Sequence, residues 1–314
     1  MTTSLKTKEL IKGQIQKWDL ASANYAGLQK VKTKTVELSG GSQVKVQFNP
    51  ERMRSSVAKV DAKSIQERPC FLCEKNRPEQ QEGIDFSDYT ILINPFPIFP
   101  EHLTVPRKDH TLQLIKPHFA SMLDLAVELP EFTLFYNGPK CGASAPDHFH
   151  FQAGIKGFMP VEADFRSGTY TQLKAIEHGV KVYSWQGYNR GVISFVSDND
   201  NAAGIVRLFE ALHAILAHKQ VNEVEPMLNV LAYAENGQLM VHVFPRILHR
   251  PACYFAQGEE QILISPASVD MGGVFITPRP EDYEKISADD VAHILSQVCL
   301  SETDCDQVLN ELLK

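Results

Sequence analysis

Residues 137–152, NGPKCGASAPDHFHFQ, join a glycine-rich loop to a short segment that carries two histidines. The alternating pattern predicts a strand from His148 to Ala153. Successive side chains of a strand point to opposite faces of the sheet, so His148, His150 and Gln152 share one face. The two phenylalanines between them belong to the other face and are expected to anchor the strand in the core. The segment therefore predicts a strand with one polar face directed at a pocket.

The loop before this strand contains small residues, among them Gly142 and Ser144, that let backbone N–H groups approach an anion closely. A phosphate cradle that leads into paired histidines indicates phosphoryl chemistry. Neutral imidazole attacks phosphorus when one ring nitrogen is free and the other is held by an acceptor. We expect His150 to be that nucleophile and Gln152 to hydrogen-bond a phosphate oxygen. The alternative is a surface strand whose histidines have no function.

Cys70 and Cys73 form a C-x-x-C pair in a polar, turn-rich segment. A thioredoxin-type redox pair needs a helix directly after it, whereas a polar loop with a proline follows here. Two unrelated free thiols are a second interpretation. A zinc site is the third, because a loop-borne C-x-x-C is a common half-site. His110 and His148 can complete a Cys2His2 tetrahedron, but the spacing alone does not prove these two ligands.

The rest of the chain predicts an α+β protein with two similar halves, residues 1–160 and 161–314. Each half contains strands, one helix and further strands, which indicates a degenerate internal duplication with its boundary near Pro160. The predicted elements are a helical lead-in over residues 1–30, a hairpin over Val36–Phe48, strands over Tyr89–Asn94, His102–Val105 and Phe132–Tyr136, helices over Pro117–Leu129 and Ala202–Lys219, a hairpin that turns at Asn236 and Gly237, and a mostly helical region from Pro280.

The composition excludes several classes of protein. The 314 residues carry a formal net charge of −7, and non-specific binding to nucleic acid needs a basic surface. The apolar runs are short and broken by charges, so no membrane span is expected. The N-terminus lacks the apolar core of a secretory signal, and six cysteines are too few for a disulfide scaffold. We therefore expect a cytoplasmic protein that binds neither nucleic acid nor membranes.

These motifs together resemble the histidine-triad superfamily. Residues 93–111, INPFPIFPEHLTVPRKDHT, resemble the first half of a histidine-triad domain, and residues 148–152 resemble its active-site strand. The order C-x-x-C, D-H-T and N-(x)10-H-x-H-x-Q is similar to the galactose-1-phosphate uridylyltransferase and nucleotide phosphorylase branch. That branch has proline between the two histidines, where this chain has Phe149. The resemblance covers Arg52 to Glu162.

The resemblance implies two histidine-triad-like halves, each an antiparallel sheet with packed helices, that form an intramolecular pseudo-dimer. It implies structural zinc at Cys70, Cys73, His110 and His148, and a nucleotidylated His150. Further implied substrate contacts are Arg52, Arg54 and Asn94 in the N-terminal region, Asn137, Ser144 and Gln152 around the phosphate, and Arg246, His249 and Arg250 in a C-terminal segment whose alternative interpretation is a solvated basic turn.

The branch has a second metal site, made by a glutamate and three histidines of the second half. Glu162 and His242 match two of these residues. Met240 stands where another histidine would be expected. We therefore expect no second metal.

The expected function is that of a nucleotidyltransferase or phosphorylase that acts on a nucleoside diphosphate sugar or a dinucleoside polyphosphate through a covalent nucleotidyl-histidine. The second substrate would be a phosphate-bearing acceptor. A nucleotide hydrolase is an alternative, against which Gln152 weighs mildly, and a non-catalytic nucleotide-binding protein on the same scaffold is another. The acidic charge disfavours a zinc-dependent nucleic-acid module. The two-half chain could also form a homodimer, since the sequence does not fix the oligomeric state.

Overall fold

The strands and helices are those of an α+β protein, and the predicted fold class is confirmed by a computed structural model that describes residues 2–53 and 61–314. Within these ranges no helix is long and apolar enough to cross a membrane. The strands are β1 (Lys32–Glu37), β2 (Gln43–Phe48), β3 (Gly83–Phe86), β4 (Tyr89–Ile93), β5 (His102–Pro106), β6 (Phe132–Asn137), β7 (His150–Ile155), β8 (Thr171–Glu177), β9 (Val180–Trp185), β10 (Ile193–Asp198), β11 (Leu228–Glu235), β12 (Gln238–Pro245) and β13 (Val274–Thr277). The helices are α1 (Thr3–Lys17), α2 (Asp19–Gly27), α3 (Ala62–Glu67), α4 (Phe119–Glu128), α5 (Pro160–Ser167), α6 (Ala202–Lys219), α7 (Ala252–Phe255), α8 (Ser268–Met271), α9 (Pro280–Lys285), α10 (Ala288–Val298) and α11 (Glu302–Leu312).

The large sheet has ten strands within the described residues, in the order β3-β4-β5-β7-β6-β11-β12-β10-β9-β8. Strands β3 to β7 and strands β8 to β12 follow the same path, and a helix, α4 or α6, precedes the fourth strand of each set. The two fourth strands, β6 and β11, pair antiparallel at the centre, with Asn137 opposite Asn229. The duplication is therefore visible in the topology, and both halves share one sheet. The division of the chain at residues 160 and 161 stays a prediction.

Helices α4 and α6 cover one face of this sheet. The ring of Phe119 in α4 stacks on Phe209 in α6, with their centroids 3.7 Å apart. Phe149 and Phe151 enter the same core and are fully buried, as the alternating pattern predicts. Because these rings occupy the helix side of β7, its polar side chains are left for the opposite face.

A small sheet lies on that opposite face. Strands β1 and β2 form the predicted hairpin, and β13 of the second half adds to β2 in parallel. The sequence pattern did not predict this third strand, since its partner lies at the other end of the chain. The pairing brings residues 265–276 beside the glycine-rich loop of the first half.

Several predicted boundaries are wrong, and the hairpin predicted over Val36–Phe48 begins earlier, at Lys32. The strand predicted from His148 begins at His150, because the N–H of His148 donates to the carbonyl of Ala145 at 3.2 Å in a turn. The helix predicted from Pro117 begins at Phe119, after a short 3-10 turn.

Candidate active site and metal cluster

His150 begins β7 and lines a cleft of about 700 Å³. Its backbone is held by the buried side chain of Gln113, whose Oε1 accepts the N–H of His150 at 2.8 Å. Gln113 Nε2 donates to the carbonyls of His150 at 2.9 Å and Asn137 at 3.1 Å. The side chain of Gln113 therefore links the ends of β6 and β7, beyond the last pair of residues that the two strands join by backbone hydrogen bonds. The sequence pattern does not reveal this residue because it lies in a loop without periodicity.

The ring of His150 is held in one tautomer. Its Nδ1 lies 2.9 Å from the carbonyl of His148, and since a carbonyl only accepts, Nδ1 carries the proton. Nε2 therefore keeps its lone pair. Burial lowers the pKa of His150 to about 4, so the ring is neutral near pH 7. A neutral imidazole with one free nitrogen is the nucleophilic form.

Gln152 shares the face of β7 with His150, and its amide is oriented by two neighbours. Its Oε1 accepts from His102 Nε2 at 3.0 Å and from Asn94 Nδ2 at 3.3 Å. His102 Nδ1 accepts the N–H of Ile98 at 3.2 Å, so the His102 proton is on Nε2. The amide oxygen of Gln152 is thus occupied, and its NH2 group is left to donate into the cleft. No role was predicted for His102.

Asn137 lines a smaller cavity that adjoins the cleft. Its Oδ1 accepts from Asn229 Nδ2 at 3.1 Å and from the N–H of Ser268 at 2.8 Å. Two donors on the oxygen fix the orientation of the amide. The NH2 group of Asn137 is therefore a second donor available to the site.

The two halves of the chain share the smaller cavity. Arg52, Ser144 and Gln152 of the first half line both this cavity and the cleft. Gly142 has a φ of +92°, and a Cβ there would lie 2.4 Å from the Cβ of Ala267. A side chain at position 142 would therefore clash with the second-half segment that contains Ala267. The sequence alone did not reveal this need for glycine. The second half contributes Ser265, Ala267, Val269, Asp270 and Ile276.

Arg52 connects the two cavities. Its guanidinium donates to the carbonyl of Phe96 at 2.9 Å. Burial lowers the pKa of Arg52 to about 10, against the opposing effect of Asp270, so Arg52 stays charged at neutral pH. Arg54, which was predicted beside it, lies outside the described residues.

The cleft is also lined by apolar side chains, which form its apolar wall. Phe71, on the C-x-x-C loop, is 47 % exposed, and the guanidinium of Arg68 lies 5.1 Å from the centre of its ring. Asp147 pairs with Arg68 at 2.8 Å and so holds it in place. A half-exposed aromatic ring can stack on a flat heterocycle. Other apolar side chains of this wall are Trp18, Leu20, Leu72, Leu92 and Phe96.

The four predicted metal ligands meet in one cluster. The ligand atoms of Cys70, Cys73, His110 and His148 all lie within 4.8 Å of one another. His148 Nδ1 is 3.3 Å from Cys70 Sγ and 3.2 Å from His110 Nδ1, and Cys73 Sγ is 3.2 Å from His110 Nδ1. Tetrahedral zinc with bonds of about 2.0–2.3 Å separates its ligand atoms by about 3.3–3.8 Å. The donor set and its spacing fit a metal ion of this kind.

Neighbouring groups favour the forms of His148 and Cys70 that can bind a cation. His148 Nε2 lies 2.8 Å from the carbonyl of Arg107, so the proton is on Nε2 and Nδ1 is free to bind a metal. Burial acts to raise the pKa of the Cys70 thiol, but its contact with His148 and hydrogen bonds from backbone N–H groups lower it to about 6. A thiolate is the form of cysteine that binds metal ions.

Arg246 lies away from both cavities, which differs from the substrate contact expected of it. It is fully buried, and its guanidinium donates to Asn229 Oδ1 at 2.7 Å and to four backbone carbonyls. Because Asn229 in turn holds Asn137, Arg246 supports the site indirectly. Arg250 donates to the hydroxyl of Ser265 at 3.0 Å, at the edge of the smaller cavity. Burial, together with Arg250, lowers the pKa of His249 to about 4.

Glu162 and His242 do not lie in a shared ligand cluster. Glu162 accepts from the hydroxyl of Thr133 at 2.9 Å. His242 Nδ1 lies 2.8 Å from the hydroxyl of Ser194, and the ring of Phe165 packs on it at 4.9 Å. His242 is on β12, the strand equivalent to β7, so in the second half the corresponding pocket is filled by an aromatic side chain.

The comparisons with known proteins agree with this architecture. Residues 10–155 match a domain of unknown function (DUF4922), and residues 166–314 match a GDPGP1-like, C-terminal domain. The crystal structure of yeast Ap4A phosphorylase Apa2 in complex with AMP is similar at 18% identity with a TM-score of 0.60, over 95% of this chain and 97% of that chain. The complex of the same protein with Ap4A is similar at 17% identity with a TM-score of 0.58, over 92% of this chain and 97% of that chain. No curated protein matches this chain in sequence. These structures show that the chain shares its fold with yeast Ap4A phosphorylase Apa2, so the predicted resemblance is confirmed as a likeness in fold.

Proposed function

We propose that this protein is a nucleotidyltransferase or phosphorylase that cleaves a nucleoside diphosphate sugar or a dinucleoside polyphosphate through a nucleotidyl-histidine at His150. The observation that carries the proposal is the state of this ring. Its Nδ1 proton is held by the carbonyl of His148, which leaves Nε2 free. The neighbouring groups, the NH2 of Gln152 and the guanidinium of Arg52, are donors suited to an anion.

The similar structures support a nucleotide ligand. Those of yeast Ap4A phosphorylase Apa2 contain AMP or Ap4A, and they share the whole fold with this chain. The apolar wall with Phe71 would accept the base, and the donors around His150 would accept the phosphates.

The reaction is proposed as two in-line displacements. Nε2 of His150 attacks the α-phosphorus, the bond from this phosphorus to the bridging oxygen breaks, and the electron pair leaves with the departing phosphate. An oxygen of a phosphate-bearing acceptor then attacks the same phosphorus, and the electron pair of the P–N bond returns to Nε2. Arg52, Gln152 and Asn137 would stabilise the charge on the non-bridging oxygens. Two displacements retain the configuration at phosphorus.

We further propose that Cys70, Cys73, His110 and His148 hold structural zinc. Four protein ligands leave no open position for a substrate, which is typical of structural sites. When bound, the ion would cross-link the C-x-x-C loop to the turn before β7. This link would fix Phe71 and the carbonyl of His148, which orients His150.

The test is intact-protein mass spectrometry after incubation with a panel of nucleotide sugars and dinucleoside polyphosphates. We expect a mass increase of one nucleotidyl group, which is a nucleoside monophosphate less one water, in the wild type and none in His150→Ala. The matched control is His293→Ala. His293 is exposed and distant in sequence from the residues of the cleft, so this variant should be modified like the wild type. A nucleotide that still attaches to His150→Ala would reject the assignment.

Product analysis separates the alternatives. Turnover that depends on added phosphate or sugar phosphate supports transfer or phosphorolysis, whereas turnover in plain buffer would identify a hydrolase. Tight nucleotide binding with neither adduct nor turnover would identify a non-catalytic binding protein.

A further inference from the structure

We infer that Glu225 is a positioning residue through which the second half of the chain holds His150 in place. The inference rests on the proposed function, since it concerns the placement of the imidazole that would attack phosphorus. Glu225 lies in segment 220–227, between α6 and β11, and its side chain reaches the loop of the first half that carries Gln113. It lines neither the cleft nor the smaller cavity. A residue outside the site would thus control the rate of a step inside it.

The carboxylate of Glu225 is buried between two groups of the first half. The residue is 5 % exposed. Its Oε1 accepts the N–H of Ile115 at 2.5 Å, and its Oε2 accepts from the hydroxyl of Tyr136 at 2.5 Å. Among the described residues, the only basic side chain that pairs with these oxygens is His213, whose Nε2 is 3.8 Å away. A buried carboxylate needs donors around it, and here both short ones come from the other half of the chain.

Tyr136 joins this carboxylate to the backbone of Gln113. Its hydroxyl has one proton, which can serve either of two acceptors, Glu225 Oε2 or the carbonyl of Gln113 at 2.9 Å. Burial and the neighbouring carboxylate raise the pKa of Tyr136 well above its usual range, so the proton is retained at neutral pH. Ile115, the other partner of Glu225, is two residues from Gln113 in the chain. The carboxylate therefore ties the loop that carries Gln113 to strand β6.

Gln113 carries this link on to the nucleophile. Its side chain accepts the N–H of His150 at 2.8 Å and donates to carbonyls at the ends of β6 and β7. These bonds need a fixed separation between the loop and the strand ends, because a hydrogen bond weakens steeply when its geometry changes. Without Glu225 the loop can move away from β6, and Gln113 moves with it. The ring of His150 then loses its fixed place, although the groups that line the cleft are unchanged.

The experiment compares two substitutions of Glu225 with a matched control in the same segment. Glu225→Ala removes both contacts. Glu225→Gln keeps them, because its amide oxygen can accept the N–H of Ile115 while its NH2 donates to the oxygen of Tyr136. The control is Glu223→Ala. Glu223 also reaches the first half, but through a solvent-accessible ion pair with Lys140 at 2.8 Å, and such pairs contribute little.

We expect the rate of nucleotidyl transfer to His150 to fall about tenfold in Glu225→Ala, the factor that corresponds to one hydrogen bond to a charged group, with KM nearly unchanged. Glu225→Gln and Glu223→Ala should keep the wild-type rate. Once Gln113→Met is present, Glu225→Ala should cost little further rate, because both changes act on the same contact. A full rate in Glu225→Ala, an equal loss in Glu225→Gln, or losses that simply add would overturn the inference. If Glu225→Ala does not fold, Tyr136→Phe, which removes only the hydroxyl, takes its place in these comparisons.

Amide hydrogen exchange separates this inference from the proposed function, because it needs no substrate. In Glu225→Ala the N–H of His150 should exchange faster relative to the N–H groups of β12, the equivalent strand of the second half, and in Glu223→Ala this ratio should stay as in the wild type. Faster exchange at His150 in a protein that forms no nucleotidyl adduct would reject the proposed function and still support the role of Glu225. An unchanged ratio in Glu225→Ala would reject that role whatever the activity.

Discussion

Replacing Gln113 by Met tests whether this side chain positions the nucleophile. Methionine has a similar length and is apolar, so the change removes three hydrogen bonds and little volume. The N–H of His150 and the carbonyls of His150 and Asn137 lose their partner. A net hydrogen bond contributes about 1 kcal/mol, and a buried unpaired N–H costs about 1–3 kcal/mol. The free energy of unfolding should therefore fall by about 3–5 kcal/mol.

The same substitution should slow the chemistry. Without Gln113 the end of β7 can shift away from β6, and a displacement of about 1 Å at a reacting group can cost about a hundredfold in rate. We expect kcat for nucleotidyl transfer to fall by about that factor, with a much smaller change in KM. Stability is measured by denaturant unfolding and the rate by adduct formation on His150.

Gln47→Met is the matched control. Gln47 is 4 % exposed, and its Oε1 has no hydrogen-bond partner among the described residues. Its replacement should change the free energy of unfolding by less than about 1 kcal/mol. The reasoning is refuted if the two variants unfold alike, and the positioning role is refuted if Gln113→Met is destabilised but keeps the full rate.

Three further predictions concern the metal, a buried cation and a buried carboxylate. Cys70→Ser should reduce bound zinc from about one ion per chain to almost none by elemental analysis, whereas Cys253→Ser, outside the cluster, should leave the metal content unchanged. Arg246→Met should lower the free energy of unfolding by about 4 kcal/mol because five acceptors lose their donor; a normal stability with a raised KM would instead show a substrate contact. Burial raises the pKa of Asp270 from 3.8 to about 6, so the folded chain binds this proton more tightly than the unfolded chain, and the free energy of unfolding relative to Asp270→Asn should rise by about 2 kcal/mol as the pH falls from 7 to 4. A difference that stays flat over this pH range would show that the carboxyl is not perturbed.

The strand that carries the site could be predicted because its signal is local. The two-residue period of a strand places Phe149 and Phe151 in the core and leaves His150 and Gln152 on the other face, whatever the rest of the chain does. The order of short motifs likewise identified the cluster of Cys70 and its three partner ligands. The exact start of the strand was wrong because a turn at His148 depends on a hydrogen bond that no periodicity reports.

The residues that hold the site in place could not be predicted in the same way. Gln113, His102 and Asp270 carry no motif, and each acts through a partner that is distant in sequence or through its place in a cavity. The burial of Arg246, for which a substrate contact was predicted, could not be foreseen for a related reason. A basic residue in a basic segment suggests phosphate binding, whereas the fold buries its guanidinium among carbonyls.

The sequence by itself therefore determined which reactive groups the site contains: an imidazole and an amide on one face of a strand, and four side chains of the types that can bind a metal, in a recognisable order. Only the tertiary structure decided which tautomer the imidazole adopts, which way the amides of Gln152 and Asn137 point, and that the second half closes the site with a carboxylate. The physical reason is that periodicity acts over neighbouring residues, while the central pairing of β6 with β11 and the addition of β13 to β2 join segments that only folding brings together.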